Sequence, residues 1–213
     1  MPYLENSSNA NDPHSLEGLS YAREAVEFAA LGVIAGQFAA LGLITGRDDC
    51  VMPQLHLYAL AIELAFKSLA IRAGATLKDC KDAGHNIAKM IALIKHHGVT
   101  VPRDSRRGLS DEGWFQKFFE FTRYPALNRS RSLDPTLFIH NPSHFPNRGS
   151  VRLRLERSLF YHGHYSEMIA AILEIQCPLR LRFKGGSALA EITNMAGMIC
   201  YTYPKPKDCP VKG

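Results

Sequence analysis

Apolar residues recur at helical spacing along several windows of this chain, separated by short polar breaks. From Ser20, placed to cap a helix, an apolar pattern runs to about Thr45 and is broken by Gly46-Arg47-Asp48-Asp49. Pro53 suits a first helical turn, and a second apolar run continues to Gly74, a natural terminating glycine. A short amphipathic stretch places Ile87, Met90, Ile91 and Ile94 on one face and ends at Gly98. Ser110-Asp111-Glu112 offers a capped start for a fourth helix, with Trp114, Phe115, Phe118, Phe119 and Phe121 on a wide apolar face and Pro125 as its stop. These windows predict helices near 20–45, 53–73, 86–97 and 111–122, packed as a bundle with Leu57, Leu60, Leu64, Ile91, Ile94, Phe115 and Phe118 in the core. The segment ATLKDCKDAG, between the second and third windows, reads as a loop.

The rest of the chain is less regular. Residues 1–18 are polar with Pro13 and Gly18 and read as a flexible lead-in. Residues 126–150 hold Pro135, Pro142 and Pro146 among many Ser and Asn, a composition without helical period. VRLRL at 151–155 and PLRLRF at 178–183 alternate aliphatic and Arg residues. They fit either a small antiparallel ribbon flanking a helix from about Tyr165 to Gln176, or, for the first, the start of one long helix. A short helix is expected from Ser187 to about Met198, followed by the proline-rich YTYPKPKDCP. The expected fold is thus mainly α: a four- to five-helix bundle over residues 19–176, then a C-terminal extension over 177–213, irregular in part, with a short β-ribbon as one of its readings.

Composition narrows the class. The chain has 213 residues, 46% hydrophobic and 21% charged, enough apolar surface for one substantial core, which excludes disorder as the main state. Five cysteines without Cys-x-x-Cys spacing argue against a zinc knuckle or redox dithiol, and reduced thiols fit a cytoplasmic address. Phe28 to Ile44, 17 residues with Gln37 the one strongly polar member, approaches the length of a membrane span. Its Ala and Gly content, and the charged turn before it with Arg23, Glu24 and Glu27, favour a buried core helix over a membrane segment. The formal charge of +5 gathers in residues 101–185, which include Arg123, Arg157, Arg180, Arg182 and Lys184. Such a surplus is either a solvated face or a phosphate-binding surface. Gly-x-Ser-x-Gly, Rossmann and kinase signatures are absent, and His96-His97 have no carboxylate or Cys at a matching helical spacing to complete a metal set, so no cofactor and no metal are expected. Lys184-Gly185-Gly186-Ser187 lacks the spacing of a phosphate loop and reads as a turn before a helix.

AIELAFKSLAIRAG, then AGHNIAKMIALIK, then FTRYP resemble the HEPN superfamily of helical domains. The matching residues are Glu63, Lys67 and Gly74 in the second helix, Gly84 and His85 before the third, and Arg123, Tyr124 and Pro125 after the fourth. The resemblance covers about residues 55–125. It implies a bundle that binds or cleaves RNA, or binds nucleotides, in a defence or toxin–antitoxin setting, with a homodimer and an antitoxin as partners. RNA-cleaving members carry an Arg followed by a His after four to six residues, and Arg157-Ser-Leu-Phe-Tyr-His162 fits that pattern. By resemblance, Arg157 and His162 would be catalytic. The chemistry suits a metal-independent endoribonuclease, in which His transfers protons at the 2′-hydroxyl or leaving oxygen and Arg stabilises charge on the phosphate. Lys67, His85, Arg123 and Tyr124 would bind the ligand.

Two of these positions carry a second reading. Glu63 and Lys67 stand at i and i+4, an ordinary stabilising pair if exposed and a binding or anchoring pair if buried. His85 is either loop and cap chemistry or a group placed to meet an anion at a helix N-terminus. For the whole chain, the alternative from another class is a non-catalytic, dimeric helical interaction module.

Overall fold

The computed structural model describes residues 2–4, 13–40, 51–102 and 163–202. The first two apolar windows are long helices, α1 (Pro13–Ala40) and α2 (Val51–Ala73). Both are rich in small residues, so their backbones approach closely. Ala22, Ala25, Ala29 and Ala30 of α1 and Ala59, Ala61, Ala65 and Ala70 of α2 are all buried. Gly18 lies against Ile71 and Arg72, whereas Gly32 lies against the ring of Tyr58, so the two helices run antiparallel. At Gly32 a Cβ would stand 2.9 Å from that ring, too close for any side chain without displacement. A buried hydrogen bond from Ser68 Oγ to the Gly18 carbonyl, 2.8 Å long, ties the other end of the pair.

The chain then turns at Gly74, whose φ of 118° favours glycine, and enters α3 (Leu77–Ala83). This helix replaces the loop expected here. Its cause is local: Thr76 accepts from the Asp79 amide while the Asp79 carboxylate accepts from the Thr76 amide, a complete capping box. A hydrogen bond donated by the Thr76 hydroxyl to the Asp79 carboxylate at 2.6 Å, and then the one from the Thr76 amide, hold that carboxyl below the usual carboxylate range. Asn86 caps α4 (Ile87–His96) by accepting from the Lys89 amide at 3.0 Å. A fifth helix, α5, spans 163–173; strand β2 (Leu181–Phe183) and helix α6 (Ala188–Thr202) follow.

One core joins these pieces, and the mainly α-helical class expected from the sequence is what the structure has. Ile87, Met90, Ile91 and Ile94 of α4, Met168, Ile169, Ile172 and Leu173 of α5, and Ala188, Ile192 and Ala196 of α6 all belong to that core, with α4 set against α2 and α6 against α1. Tyr58 and Tyr165 stack with ring centroids 5.3 Å apart, and burial pushes the Tyr58 phenol well up.

Several expectations need correction. Leu57, Leu60 and Leu64 are only half-buried; α2 instead buries Leu55, Tyr58, Ile62, Phe66 and Leu69. A helix that is apolar nearly all round has no phase of its own, so its neighbours choose the buried face. The lead-in over residues 1–18 is also structured in part. Pro2–Leu4 form strand β1, and α1 starts at Pro13, a residue whose fixed φ suits a first helical turn. PLRLRF does supply a strand, but its partner is β1, antiparallel, with Tyr3 opposite Arg182. The expected partner VRLRL, the fourth helical window and its Phe115 and Phe118 lie outside the described residues. α6 belongs to the core, so the C-terminal extension is integral at least that far.

Over the part of Phe28 to Ile44 whose side chains are described, Ala29, Ala30, Val33 and Ile34 are buried in protein. Among the described residues one helix, Gln54–Ala73, is long and apolar enough to cross a membrane, and 72% of that window is buried inside the fold.

Candidate functional site

Two helices and one turn build the site. Glu63 and Lys67 share a face of α2 one turn apart, and His85 sits in the joint between α3 and α4, immediately before the Asn86 cap. Lys67 Nζ lies 2.6 Å and His85 Nδ1 2.8 Å from the same oxygen, Glu63 Oε1. Exposure of the three side chains runs from 4% for Glu63 through 16% for Lys67 to 55% for His85. The buried reading of the Glu63–Lys67 pair therefore holds. A carboxylate paired with Lys67 can only accept, so Nδ1 of His85 carries the proton and the ring is oriented from its buried side.

The surroundings come from α1 and α3. Lys67 Nζ stands 5.9 Å from the centre of the Tyr21 ring, within reach of a cation–π contact. Burial, and then the nearby Cys80, push the Tyr21 phenol up. Burial likewise raises the Cys80 thiol to about 11, against the pull of Lys67. Cys80 is thus an inert, protonated packing residue near neutral pH. Glu63 Oε2 is buried without a hydrogen-bond partner. The arrangement can do two things: lock α2 to the start of α4 through a buried charge, and present an oriented imidazole at the surface beside a helix N-terminus.

Of the residues expected to act, the structure brings Glu63, Lys67 and His85 together. Arg123, Tyr124, Arg157 and His162 lie outside the described residues. His96 and His97 close α4, in the last turn and at the C-cap, where a cation complements the dipole. Lys184-Gly185-Gly186-Ser187 is the turn before α6, with Ser187 Oγ accepting from the Ala190 amide and Glu174 accepting from the Ala188 amide at 2.7 Å. Two carboxylate or hydroxyl acceptors already occupy this helix start, which supports the turn reading. Among the described residues no group of three or more His, Cys, Asp or Glu could hold a metal ion.

Sequence reasoning passed over Arg72. Its side chain is buried, its Nη2 donates to the Leu173 carbonyl at 2.9 Å, and its Nη1 reaches Cys177 Sγ and the Leu179 carbonyl. Burial lowers the Arg72 pKa and also raises that of Cys177, which the guanidinium opposes. An Arg two residues before a terminating glycine looks like an ordinary helix-end cation, and nothing local tells of partners a hundred residues away.

Fold and site together define a mainly α-helical bundle with a two-stranded ribbon and a buried carboxylate that holds one lysine and one surface histidine. Comparisons with protein-family models, with curated proteins and with solved structures give no match.

Proposed function

We propose that this chain is a HEPN-like helical domain of the cytoplasm that binds or cleaves RNA, or binds nucleotides, in a defence or toxin–antitoxin setting. One observation supports the reading above all. Residues singled out by resemblance, 22 positions apart in sequence, meet at one carboxylate oxygen and leave His85 at the surface. In this reading His85 and Lys67 engage the ligand's phosphate with Arg123 and Tyr124, while Arg157 and His162 carry the cleavage step without a metal.

The test uses purified full chain and labelled single-stranded RNA. His162→Ala abolishes cleavage with the helical circular-dichroism signal retained, and Arg157→Ala slows it by about 10²- to 10³-fold, as expected for loss of one charge-stabilising donor. A folded preparation that neither turns over RNA nor binds it in a salt-sensitive way overturns the proposal.

A second reading, the dimeric interaction module, is favoured by the outer face of α1. Leu16 and Leu31 are 56% and 40% exposed there, about four helical turns apart, with the Arg23–Glu27 ion pair between them. An antiparallel second copy would set Leu16 against Leu31 at both ends and Arg23 against Glu24 at the middle. In sedimentation velocity this reading expects a dimer that Leu31→Lys dissociates; a monomer throughout the micromolar range removes it.

A further inference from the structure

A carboxylate oxygen buried in a protein is ordinarily satisfied by at least one donor, and leaving it bare is costly. Glu63 divides its donors unevenly. Lys67 Nζ, at 2.6 Å, and His85 Nδ1, at 2.8 Å, both lie against Oε1, whereas Oε2 is buried without a hydrogen-bond partner. Two neighbours could have supplied the missing donor. The Tyr21 hydroxyl of α1 and the Cys80 thiol of α3 are close enough to feel the charges of this cluster, yet neither donates to Oε2. The fold thus keeps one acceptor in reserve beside a lysine and a surface histidine.

The chemistry of that oxygen narrows what it can take. It needs a donor, which excludes phosphate itself. The donor is neutral, because Lys67 already balances the charge of Glu63 and a further cation would be repelled by Lys67. It also stands close to a phosphate, since Lys67 and His85 are the groups placed to engage one. A ribose 2′-hydroxyl meets all three conditions: it donates, it is uncharged, and its carbon adjoins the one that bears the 3′-phosphate. The base edges carry donors too, but they lie across the sugar from that phosphate. Of the three side chains His85 alone is exposed, on the joint between α3 and α4, while Glu63 and Lys67 are fixed on α2. The imidazole is therefore the part that turns aside to admit the sugar.

We propose that Glu63 tells RNA from DNA: its Oε2 accepts from a ribose 2′-hydroxyl while Lys67 and His85 hold the neighbouring phosphate, an inference that rests on the RNA reading above. A deoxyribose brings no donor and leaves the buried oxygen unsatisfied, so the site selects the sugar and is indifferent to the base.

The test is fluorescence anisotropy with a labelled 12-nucleotide oligouridylate and its 2′-fluoro counterpart, which keeps the ribose pucker but has no 2′ donor. The quantity read is the ratio of the two dissociation constants. The wild-type chain is expected to bind the 2′-fluoro strand about tenfold more weakly, the effect of one lost hydrogen bond to a charged group. Glu63→Gln, which turns an acceptor into a donor, and Glu63→Met/Lys67→Met, which removes it, should each bring the ratio below about threefold. A wild-type ratio near one needs no variant to interpret and overturns the role of Glu63 while the RNA reading stands. A tenfold ratio that both folded variants retain overturns it as well, by placing the discrimination elsewhere. Failure of the wild-type chain to bind either strand removes both readings.

Discussion

Arg72→Ala should lower the stability of the folded chain by about 3–5 kcal/mol, among the largest effects of any single substitution here. The guanidinium sits where three separate segments end. It satisfies the Leu173 carbonyl in the last turn of α5, one of the acceptors a helix leaves unpaired, and it reaches the Leu179 carbonyl and Cys177 on the way into β2. Removing it strands those acceptors inside the fold and opens a void the size of a large side chain. Among the described residues no carboxylate pairs with it, so carbonyl dipoles and a sulfur solvate the cation. Arg72→Met should for that reason cost less, about 1–3 kcal/mol, because the void is filled and the buried charge is gone while the acceptors stay unpaired. Urea unfolding followed by circular dichroism measures both. An Arg72→Ala chain within 1 kcal/mol of wild type would mean that the three segments hold together without the guanidinium.

Glu63→Ala should cost about 2–4 kcal/mol, less than a fully buried pair loses, because Lys67 keeps some access to water and can swing outward. The substitution leaves Lys67 above an apolar face and releases His85 from the orientation that Glu63 imposes. The double variant Glu63→Met/Lys67→Met discriminates a packing role from a binding one. Methionine restores apolar volume without buried charge, so most of the lost stability should return. If the triad serves RNA, that double variant should be stable and yet bind oligouridylate more weakly than wild type. Full stability with unchanged binding would assign Glu63 and Lys67 to the scaffold alone.

How far the sequence could be read differs from element to element, for physical reasons. Helices α1, α2 and α4 were legible because each has a local stop: a polar break, Gly74, or the Asn86 cap and Gly98. α3 was written in Thr76 and Asp79, but a seven-residue helix carries too few apolar positions for periodicity to reveal it. The buried face of α2 was not legible at all, since Leu57 and Leu60 are as apolar as Leu55 and Ile62 and the phase is set by Gly32 and the alanines of α1. In the candidate site the Glu63–Lys67 pair followed from spacing along one helix, and His85 entered through resemblance and through its place before a helix N-terminus.

The sequence by itself determined the helical class, the existence of the main helices, and the alternation within which the strand Leu181–Phe183 falls, because those depend on interactions within a few residues. Only tertiary structure decided that β2 pairs with Pro2–Leu4, that Glu63 is buried and gathers Lys67 and His85 on one oxygen, and that Arg72 closes the end of α5. Each of those joins residues that are distant along the chain or fixes how deeply a charge lies. Burial and long-range pairing are properties of the packed whole that no local pattern encodes.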